Sequence, residues 1–439
     1  MRRLKKTWSV CTVAAALAGA AAASAVAPPA AAASPVVWAV NSGGEAFVSM
    51  DGIAYGADGN FSGGGARQLS GEIRASHNPV LYQSERRGER FAYARALPDG
   101  RYNLTLRFAE STAHNAGERT FSVAVEGRER IAALDVRAAS GAINTAYDVT
   151  IPDVQVADGE LNIDFRGING AAAVSALVVT QPRQRSEGWQ RYWSDEFDYS
   201  GAPDPAKWNY EIQPPGWVND ELQRYTDRRE NLRVEGGVLI VEGRRDHYMG
   251  SEYSSGRIHS QGKGDLLYGR VEVRAKLPAG RGTWPAIWMM PADHLGYGDG
   301  WPDSGEIDIM EHVGYDAGQV HATIHNNAYY WVNGRQRKGS VMLDDVTEAF
   351  HVYAMEWDRG RMDFYIDDIH YFTYINDRRG WKSWPFDRPF YVILNLAIGG
   401  NWGGARGVDA DIWPRRMEVD YVRMYRRRPP AVAGASGGD

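Results

Sequence analysis

The chain has 439 residues, of which 44% are hydrophobic and 24% are charged. This length and composition are typical of a soluble globular protein with two domains. The formal net charge is −6 and no basic stripe is visible, which argues against nucleic acid as a partner. The single cysteine, Cys11, lies in a segment that we expect to be removed, so disulfides and thiol chemistry are excluded for the mature chain.

Residues 1–33 have the pattern of a secretory signal peptide. Four basic residues between Arg2 and Lys6 precede an Ala-rich apolar run, and Ala31-Ala32-Ala33 offers a small-residue cleavage site. The run is too weakly hydrophobic for a membrane anchor. Its removal takes away four basic and no acidic residues, so the net charge changes from −6 to about −10. We therefore expect a secreted, extracellular protein with no membrane partner once the signal is removed.

The rest of the chain changes character near residue 183. Thirteen of the fifteen Trp residues lie between Trp189 and Trp413. Short alternating segments separated by Gly, Asp and Pro fill both halves, and no long run with helical period occurs, so we predict an all-β protein made of two β-sandwiches. The predicted segments are a first domain over 34–182, a linker over 183–188, a second domain over 189–427 and a disordered tail over 428–439.

One strand of the second domain carries three acids, in Glu306-Ile-Asp-Ile-Met-Glu311. Period-two alternation places Glu306 and Asp308 on one face of the strand and the two Ile residues on the other. A regular strand would turn Glu311 into the core, where an unpaired carboxylate is costly. A one-residue β-bulge at Met310 would return Glu311 to the acidic face.

Two glutamates on one face of a bulged strand favour glycoside hydrolysis. Their side chains can approach the spacing of about 5–5.5 Å used by retaining enzymes, in which one carboxylate attacks and the other protonates the leaving oxygen. Asp308, between them, can help to keep the two in different protonation states. On spacing alone, an acidic cation site or a solvated edge strand remains an alternative.

Neighbouring segments supply aromatic and imidazole groups. Trp284 and Trp288 lie an even number of residues apart and so share a strand face, where they can stack on sugar rings or pack in the core. His321 and His325 share a face in the same way, but no Glu follows the first His, which argues against the zinc-protease pattern. We interpret His325 as a hydrogen-bonding group of a cleft.

These motifs, with Asn219-Asp-Glu-Leu-Gln-Arg-Tyr-Thr, Tyr253-Ser-Ser-Gly-Arg-Ile and Asn395-Leu-Ala-Ile-Gly-Gly-Asn-Trp, resemble glycoside hydrolase family 16 in its laminarinase-like branch. The resemblance covers roughly Trp189 to Arg426 and implies a β-jelly-roll with a cleft on its concave face. It implies that Glu306 is the nucleophile, Asp308 its assistant and Glu311 the acid/base. The inserted Met310 matches the bulged form of the motif, found in laminarinases and agarases.

The same resemblance implies further site residues. The positions that would line the sugar subsites are Asn219, Arg257, Trp284, Trp288 and His325. No cofactor is implied for catalysis. Many members carry a structural calcium on the convex side, for which Glu196 and Asp420 occupy the expected positions, and calcium prefers such oxygen ligands.

Residues 36–180 resemble malectin-like carbohydrate-binding domains, through Val37-Trp-Ala-Val-Asn-Ser-Gly-Gly-Glu-Ala, Leu81-Tyr-Gln-Ser-Glu-Arg, Phe108-Ala-Glu and Val174-Ser-Ala-Leu-Val-Val. Two positions depart from the pattern: Ser111-Thr-Ala-His114 and Arg87 stand where aromatic residues would stack on the ligand. A diglucose ligand is therefore not expected. Glucan binding at another surface and simple structural attachment both remain open.

The sequence thus predicts a monomeric, secreted, retaining endo-β-1,3-glucanase whose partner is a β-1,3-glucan. An agarase or other galactan hydrolase of the same family is one alternative. A non-catalytic glucan-recognition protein is another, although such relatives typically lose one or both catalytic glutamates, which this chain keeps.

Overall fold

Alternating apolar and polar residues form strands throughout both halves of the chain. The computed structural model describes residues 35–182, 188–293, 297–298 and 300–428. The predicted signal peptide, nearly all of the linker and nearly all of the tail lie outside the described residues. Within those that are described, no helix is long and apolar enough to cross a lipid bilayer.

The N-terminal half contains twelve strands, one short α-helix, α1 (Val136–Ser140), and a 3-10 turn at Pro79–Tyr82 within its described residues. The strands are β1 (Val36–Asn41), β2 (Phe47–Val48), β3 (Ala54–Tyr55), β4 (Phe61–Gln68), β5 (Ser84–Ala96), β6 (Gly100–Ala109), β7 (Thr120–Val125), β8 (Arg128–Leu134), β9 (Ala146–Val156), β10 (Glu160–Asn169), β11 (Ala172–Val174) and β12 (Ala176–Thr180).

The C-terminal half contains seventeen described strands and 3-10 turns at Tyr248–Gly250 and Trp331–Asn333. The strands are β13 (Trp189–Asp195), β14 (Asn209–Tyr210), β15 (Gln223–Tyr225), β16 (Leu232–Glu235), β17 (Val238–Gly243), β18 (Tyr253–Ser255), β19 (Arg257–His259), β20 (Gly269–Lys276), β21 (Thr283–Pro291), β22 (Glu306–Glu311), β23 (Gln319–His325), β24 (Arg337–Met342), β25 (His351–Trp357), β26 (Arg361–Ile366), β27 (Ile369–Ile375), β28 (Phe390–Ile398) and β29 (Arg415–Arg427).

Each half is a sandwich of two sheets, which confirms the predicted fold class. In the C-terminal half, an outer sheet in the order β16-β17-β29-β20-β25-β26-β27, with β13 added on β29, packs against an inner sheet that contains β22. Apolar residues of the two facing surfaces fill the space between them, among them Ile307, Ile324, Met355 and Val422. The other face of the inner sheet carries the acids and is left free to form a cleft.

The two halves share one sheet of eleven strands, a feature that the predicted domain division did not foresee. Its order is β1-β12-β6-β9-β24-β23-β22-β21-β28-β19-β14. The junction is a parallel pairing of β9 with β24, in which Ser340 lies opposite Val149 and Val341 opposite Thr150. Because each strand would otherwise be the edge of its own sheet, the pairing satisfies backbone groups of both halves.

Side chains reinforce this junction on the cleft face of the shared sheet, and a cavity lies on its other face. On the cleft side, Gln319 Nε2 donates to Tyr147 Oη at 2.5 Å, and Met342 packs against the N-terminal core. On the other side, a cavity of about 100 Å³ lies between the N-terminal sheet and β26–β27. Its lining includes Arg107, Asp148 and Arg361, so it is polar and roomy enough for ordered water.

Candidate active site

The acidic strand β22 contains the predicted bulge. Asp308 pairs with Thr323 of β23, but the next pair is Glu311 with His321, so Ile309 and Met310 together face a single residue of that strand. On the other side, the register with β21 also shifts between these pairs. Ile309 and Met310 are both fully buried. The bulge thus involves both residues rather than Met310 alone, and it returns Glu311 to the face that carries Glu306 and Asp308.

Glu306 lies at one end of this acidic face. Its Oε2 accepts a hydrogen bond of 2.8 Å from Trp301 Nε1, and its Oε1 lies 3.9 Å from His325 Nε2. Burial and the nearby charge of Glu311 raise the pKa of Glu306 to about 7, while the hydrogen bond from Trp301 opposes the shift. The carboxylate is therefore enclosed and oriented, but it can still ionise near neutral pH.

Glu311 lies at the other end of the acidic face. Trp284 Nε1 donates to its Oε1 at 3.1 Å, and Thr323 Oγ1 lies 3.5 Å from its Oε2. Burial raises its pKa to about 7, against the opposing effects of these two donors and of the Lys338 charge. A carboxyl group with this pKa can give up a proton and take one back at neutral pH, as a general acid/base must.

Asp308 sits between the two glutamates and is 3% exposed. Burial and the charges of both neighbours raise the pKa of Asp308 well above the usual range, which favours its protonated form beside Glu306. His325 Nε2 lies 3.4 Å from Asp308 Oδ2, and burial lowers the pKa of His325 to about 4. The imidazole is therefore neutral at neutral pH.

Arg257 and Trp288 line the cleft on the β28–β19 side. The Arg257 guanidinium lies 4.8 Å from the ring centre of Trp288 and 5.0 Å from that of Trp217, which is 40% exposed. Glu211 Oε2 accepts from Arg257 Nε at 2.8 Å. Trp288 Nε1 donates to Asn395 Oδ1 at 2.7 Å. Both predicted residues thus present fixed aromatic and cationic surfaces of the kind that bind sugars.

Asn219 reaches the same cleft through a tight turn. Its backbone oxygen accepts from Asn401 N at 2.8 Å, and its Nδ2 lies 3.3 Å from Glu221 Oε1. Gly400, at φ +75°, has no room for a side chain, since a Cβ there would lie 2.9 Å from the Asn219 oxygen and 3.2 Å from the Trp284 ring. This close approach brings Asn219 beside Trp284, so the structure gathers all five predicted substrate-binding residues around the acidic strand.

Comparison with known proteins gives the family of this arrangement. Residues 219–423 match the model of the glycosyl hydrolases family 16, and residues 36–184 match the malectin domain. A β-glucanase of Rhodothermus marinus is 52% identical over 258 residues, which are 57% of this chain and 90% of that protein. The chain belongs to glycosyl hydrolase family 16. This membership confirms the predicted family and the prediction of a glycoside hydrolase.

Solved structures of family 16 enzymes superpose on the C-terminal half. The laminarinase from Rhodothermus marinus is 51% identical with a TM-score of 0.54, and the match covers 55% of this chain and 98% of that one. SCLam, described as a non-specific endo-β-1,3(4)-glucanase of the family, was co-crystallised, as a mutant, with 1,3-β-D-cellotriosyl-glucose. It is 45% identical with a TM-score of 0.54, and the match covers 56% of this chain and 98% of that one.

Candidate metal ligands take other roles in this family 16 domain. Arg423 binds both carboxylate oxygens of Glu196, at 2.7–3.1 Å, and Arg274 Nη1 donates to Asp420 Oδ2 at 2.7 Å. With each carboxylate held by an arginine, these two side chains do not form a calcium site as they stand, and calcium binding stays a prediction. Ligand atoms of Glu306, Asp308 and His325 also lie within 4.8 Å of one another, and two of these residues, Glu306 and Asp308, are predicted catalytic groups.

The malectin domain holds its two divergent segments together. Arg87 Nη1 donates to Thr112 Oγ1 at 3.1 Å and lies 3.6 Å from Glu85 Oε1. Beneath them, Arg119 and Glu110 form a buried ion pair with an N–O distance of 2.6 Å. Where aromatic faces would stack on a ligand, this domain therefore presents a network of charged and polar groups.

Several functional residues were not predicted as such. Glu211 and Glu221 orient Arg257 and Asn219 through hydrogen bonds from loops, and no local pattern marks such partners. Asn395 could have been predicted from the sequence, because it is the one amide side chain in the buried strand β28. A buried amide needs a hydrogen-bonding partner. Trp301, which lies outside the acidic strand, is the hydrogen-bond donor to Glu306.

Proposed function

We propose that the chain is a secreted, monomeric, retaining endo-β-1,3-glucanase that needs no cofactor for catalysis. The observation that carries this proposal is the bulged strand β22, which presents Glu306, Asp308 and Glu311 to one cleft with two of them poised to titrate near neutral pH. The laminarinase and β-glucanase names of the relatives support β-1,3-glucan as the substrate. Secretion rests on the signal-peptide pattern of residues 1–33.

The first step forms a glycosyl-enzyme. Glu306 Oε attacks the anomeric carbon of the sugar on one side of the cleaved bond, and the bond from that carbon to the bridging oxygen breaks. Glu311 transfers its proton to this oxygen, so that the leaving sugar departs as a neutral alcohol. Asp308 keeps its proton and stabilises the ionised form of Glu306 by donating a hydrogen bond to it.

The second step releases the sugar. Glu311, now ionised, removes a proton from water, the water oxygen attacks the anomeric carbon, and the ester bond to Glu306 breaks. Two inversions restore the β configuration. Each glutamate then has the protonation state with which it began.

The anomer of the first product tests this mechanism. Proton NMR during hydrolysis of laminarin is expected to show the β-anomer before mutarotation, and an initial α-anomer would overturn the retaining mechanism. Glu306→Gln should lower kcat by about 10⁴-fold or more, and Glu311→Gln by about 10²–10⁴-fold. Both variants should keep the wild-type melting temperature, and full activity in either would refute its assigned role.

The substrate is tested with laminarin, lichenan and agarose in parallel. Hydrolysis of laminarin supports the proposal, and added hydrolysis of lichenan would extend it to mixed β-1,3/1,4 linkages, for which the description of SCLam is the precedent. Hydrolysis of agarose alone would favour a galactan hydrolase. Binding of laminarin without release of reducing sugar would favour the non-catalytic alternative.

A further inference from the structure

Lys338 brings the malectin domain into the neighbourhood of the acids. It lies on β24 directly opposite Thr323, which lies opposite Asp308. Residues opposite one another in neighbouring strands point to the same face, so Lys338 stands on the acidic face. Two strand spacings of about 4.8 Å place its backbone about 10 Å from that of Asp308.

The malectin domain holds the amine of this lysine. Lys338 Nζ donates to the backbone oxygen of Ala139 in α1 at 3.1 Å and lies 5.8 Å from the ring centre of Tyr147 in β9. The helix α1 is itself fixed by Asp135, whose side chain accepts from Ala138 N at 2.9 Å and from Gly117 N at 2.5 Å. Both groups that contact the amine are uncharged, so they fix its position without neutralising it.

The charge of Lys338 acts on Glu311. Attraction between the two lowers the pKa of Glu311 and raises that of Lys338, although burial brings the lysine to about 8. On the neighbouring strands β22 and β23, the other titratable groups of this face are Glu306, Asp308, His321 and His325. Burial lowers the pKa of both histidines, so they are neutral. The Arg257 charge lowers the pKa of Glu306 in the same way.

We propose that Lys338 is a positioning residue for the acid/base Glu311 and that the malectin domain, through α1, holds it in place. The inference rests on the proposed function for the role of Glu311. It gives the malectin domain a part in catalysis at the neighbouring site, whatever sugar that domain itself binds. Lys338 acts through Glu311 and takes no part in bond making.

The pH profile of the full chain tests the role of Lys338. Activity needs Glu311 protonated, so it falls as pH rises through the pKa of that group. Removing the lysine charge in Lys338→Met should raise this pKa and move the alkaline limb of kcat/KM to higher pH by about 0.3–1.2 pH units. This range is the Coulomb estimate at dielectric constants of 80 to 20 if the two charges are separated by about 10 Å, the backbone spacing between β24 and β22. Lys338→Arg, which keeps the charge, should restore most of the wild-type limb.

A matched control separates this effect from a change in net charge. Lys276 lies on the outer sheet, paired with Glu418, and Lys276→Met should leave the limb unchanged. Added salt should shrink the Lys338→Met shift. A Lys338→Met profile that coincides with the wild type would overturn the role of Lys338.

The part played by the malectin domain is tested in α1. Asp135→Ala removes the cap of this helix and should shift the limb in the same direction by a smaller amount. The double variant with Lys338→Met should shift no further than Lys338→Met alone, because both changes act through one group. Asp158→Ala, in an exposed turn of the same domain, is the control. A limb unchanged by Asp135→Ala would refute the contribution of the domain.

A measurement without substrate keeps this inference separate from the proposed function. Carbon-13 NMR of labelled glutamate side chains, with the Glu311 signal assigned from Glu311→Gln, reports the pKa of this carboxyl directly. A higher pKa in Lys338→Met supports the inference even if no glucan is hydrolysed, a result that would overturn only the proposed function. An unchanged pKa in an active enzyme would overturn only the inference.

Discussion

Asp308 offers the sharpest test of how the acidic strand works. Its carboxyl group is almost fully buried, and burial together with the charges of Glu306 and Glu311 raises its pKa well above the usual range, which favours the protonated form. If its role is to donate a hydrogen bond to Glu306, an amide can replace it. Asp308→Asn keeps an N–H donor for Glu306 and a carbonyl oxygen for His325, whereas Asp308→Ala removes both.

The expected difference in activity between Asp308→Ala and Asp308→Asn is large because the hydrogen-bond acceptor, Glu306, is ionised. A hydrogen bond to a charged group contributes about 1.5–3 kcal/mol, which corresponds to about a 13- to 160-fold change in rate at 1.36 kcal/mol for each factor of ten. We therefore expect Asp308→Ala to lower kcat/KM by about this factor. Asp308→Asn should stay within about tenfold of the wild type.

The assay is hydrolysis of laminarin at pH 6, with melting temperatures to show that both variants are folded. A second readout is the acidic limb of the profile, which reports ionisation of Glu306. Because the hydrogen bond favours the ionised form, its loss in Asp308→Ala should move this limb to higher pH. Equal losses in Asp308→Asn and Asp308→Ala would refute the reasoning, since they would mean that a negative charge on Asp308 is what the reaction needs.

Two further predictions concern the partner of Glu311 and the core of the malectin domain. Trp284→Phe removes the N–H that stabilises ionised Glu311, so the alkaline limb of kcat/KM should move to higher pH; an unmoved limb would contradict a direct contact in solution. Arg119→Ala leaves the buried Glu110 without its ion-pair partner and should lower the free energy of unfolding by about 3–5 kcal/mol, measured by urea denaturation. Arg101→Ala, which breaks the exposed pair with Asp153, is the control and should change stability by less than about 1 kcal/mol.

The fold class and the acidic site could be predicted because their signals are local. Alternation over six residues fixes which face Glu306 and Asp308 share, and the misfit of Glu311 with that alternation predicts the bulge. The structure changes only the position of the bulge, which includes Ile309 as well as Met310. The same period-two alternation predicts that Trp284, Trp288 and His325 lie on the cleft face of their strands.

Long-range pairings could not be predicted from the sequence. Glu196 was predicted to be a calcium ligand, but its carboxylate is bound by Arg423. Because Arg423 is 227 residues away in the chain, no local pattern indicated this ion pair. Nothing in β9 or β24 shows that they pair, since parallel strands are joined by no hairpin whose turn could be recognised. The alternating segments of both halves predicted two sandwiches, which the structure confirms, but nothing in the sequence indicated that the two share a sheet.

The shared sheet also bears on what happens when the chain is cut. Separating the halves at the linker would expose β9 and β24 as open edges, each with unpaired N–H and C=O groups ready to pair with another chain. It would also expose Met342 and the apolar residues of the N-terminal core against which Met342 packs. A catalytic fragment made without the malectin domain should therefore be more prone to self-association than the whole protein, and a charged residue or a proline placed on β24 is the natural remedy.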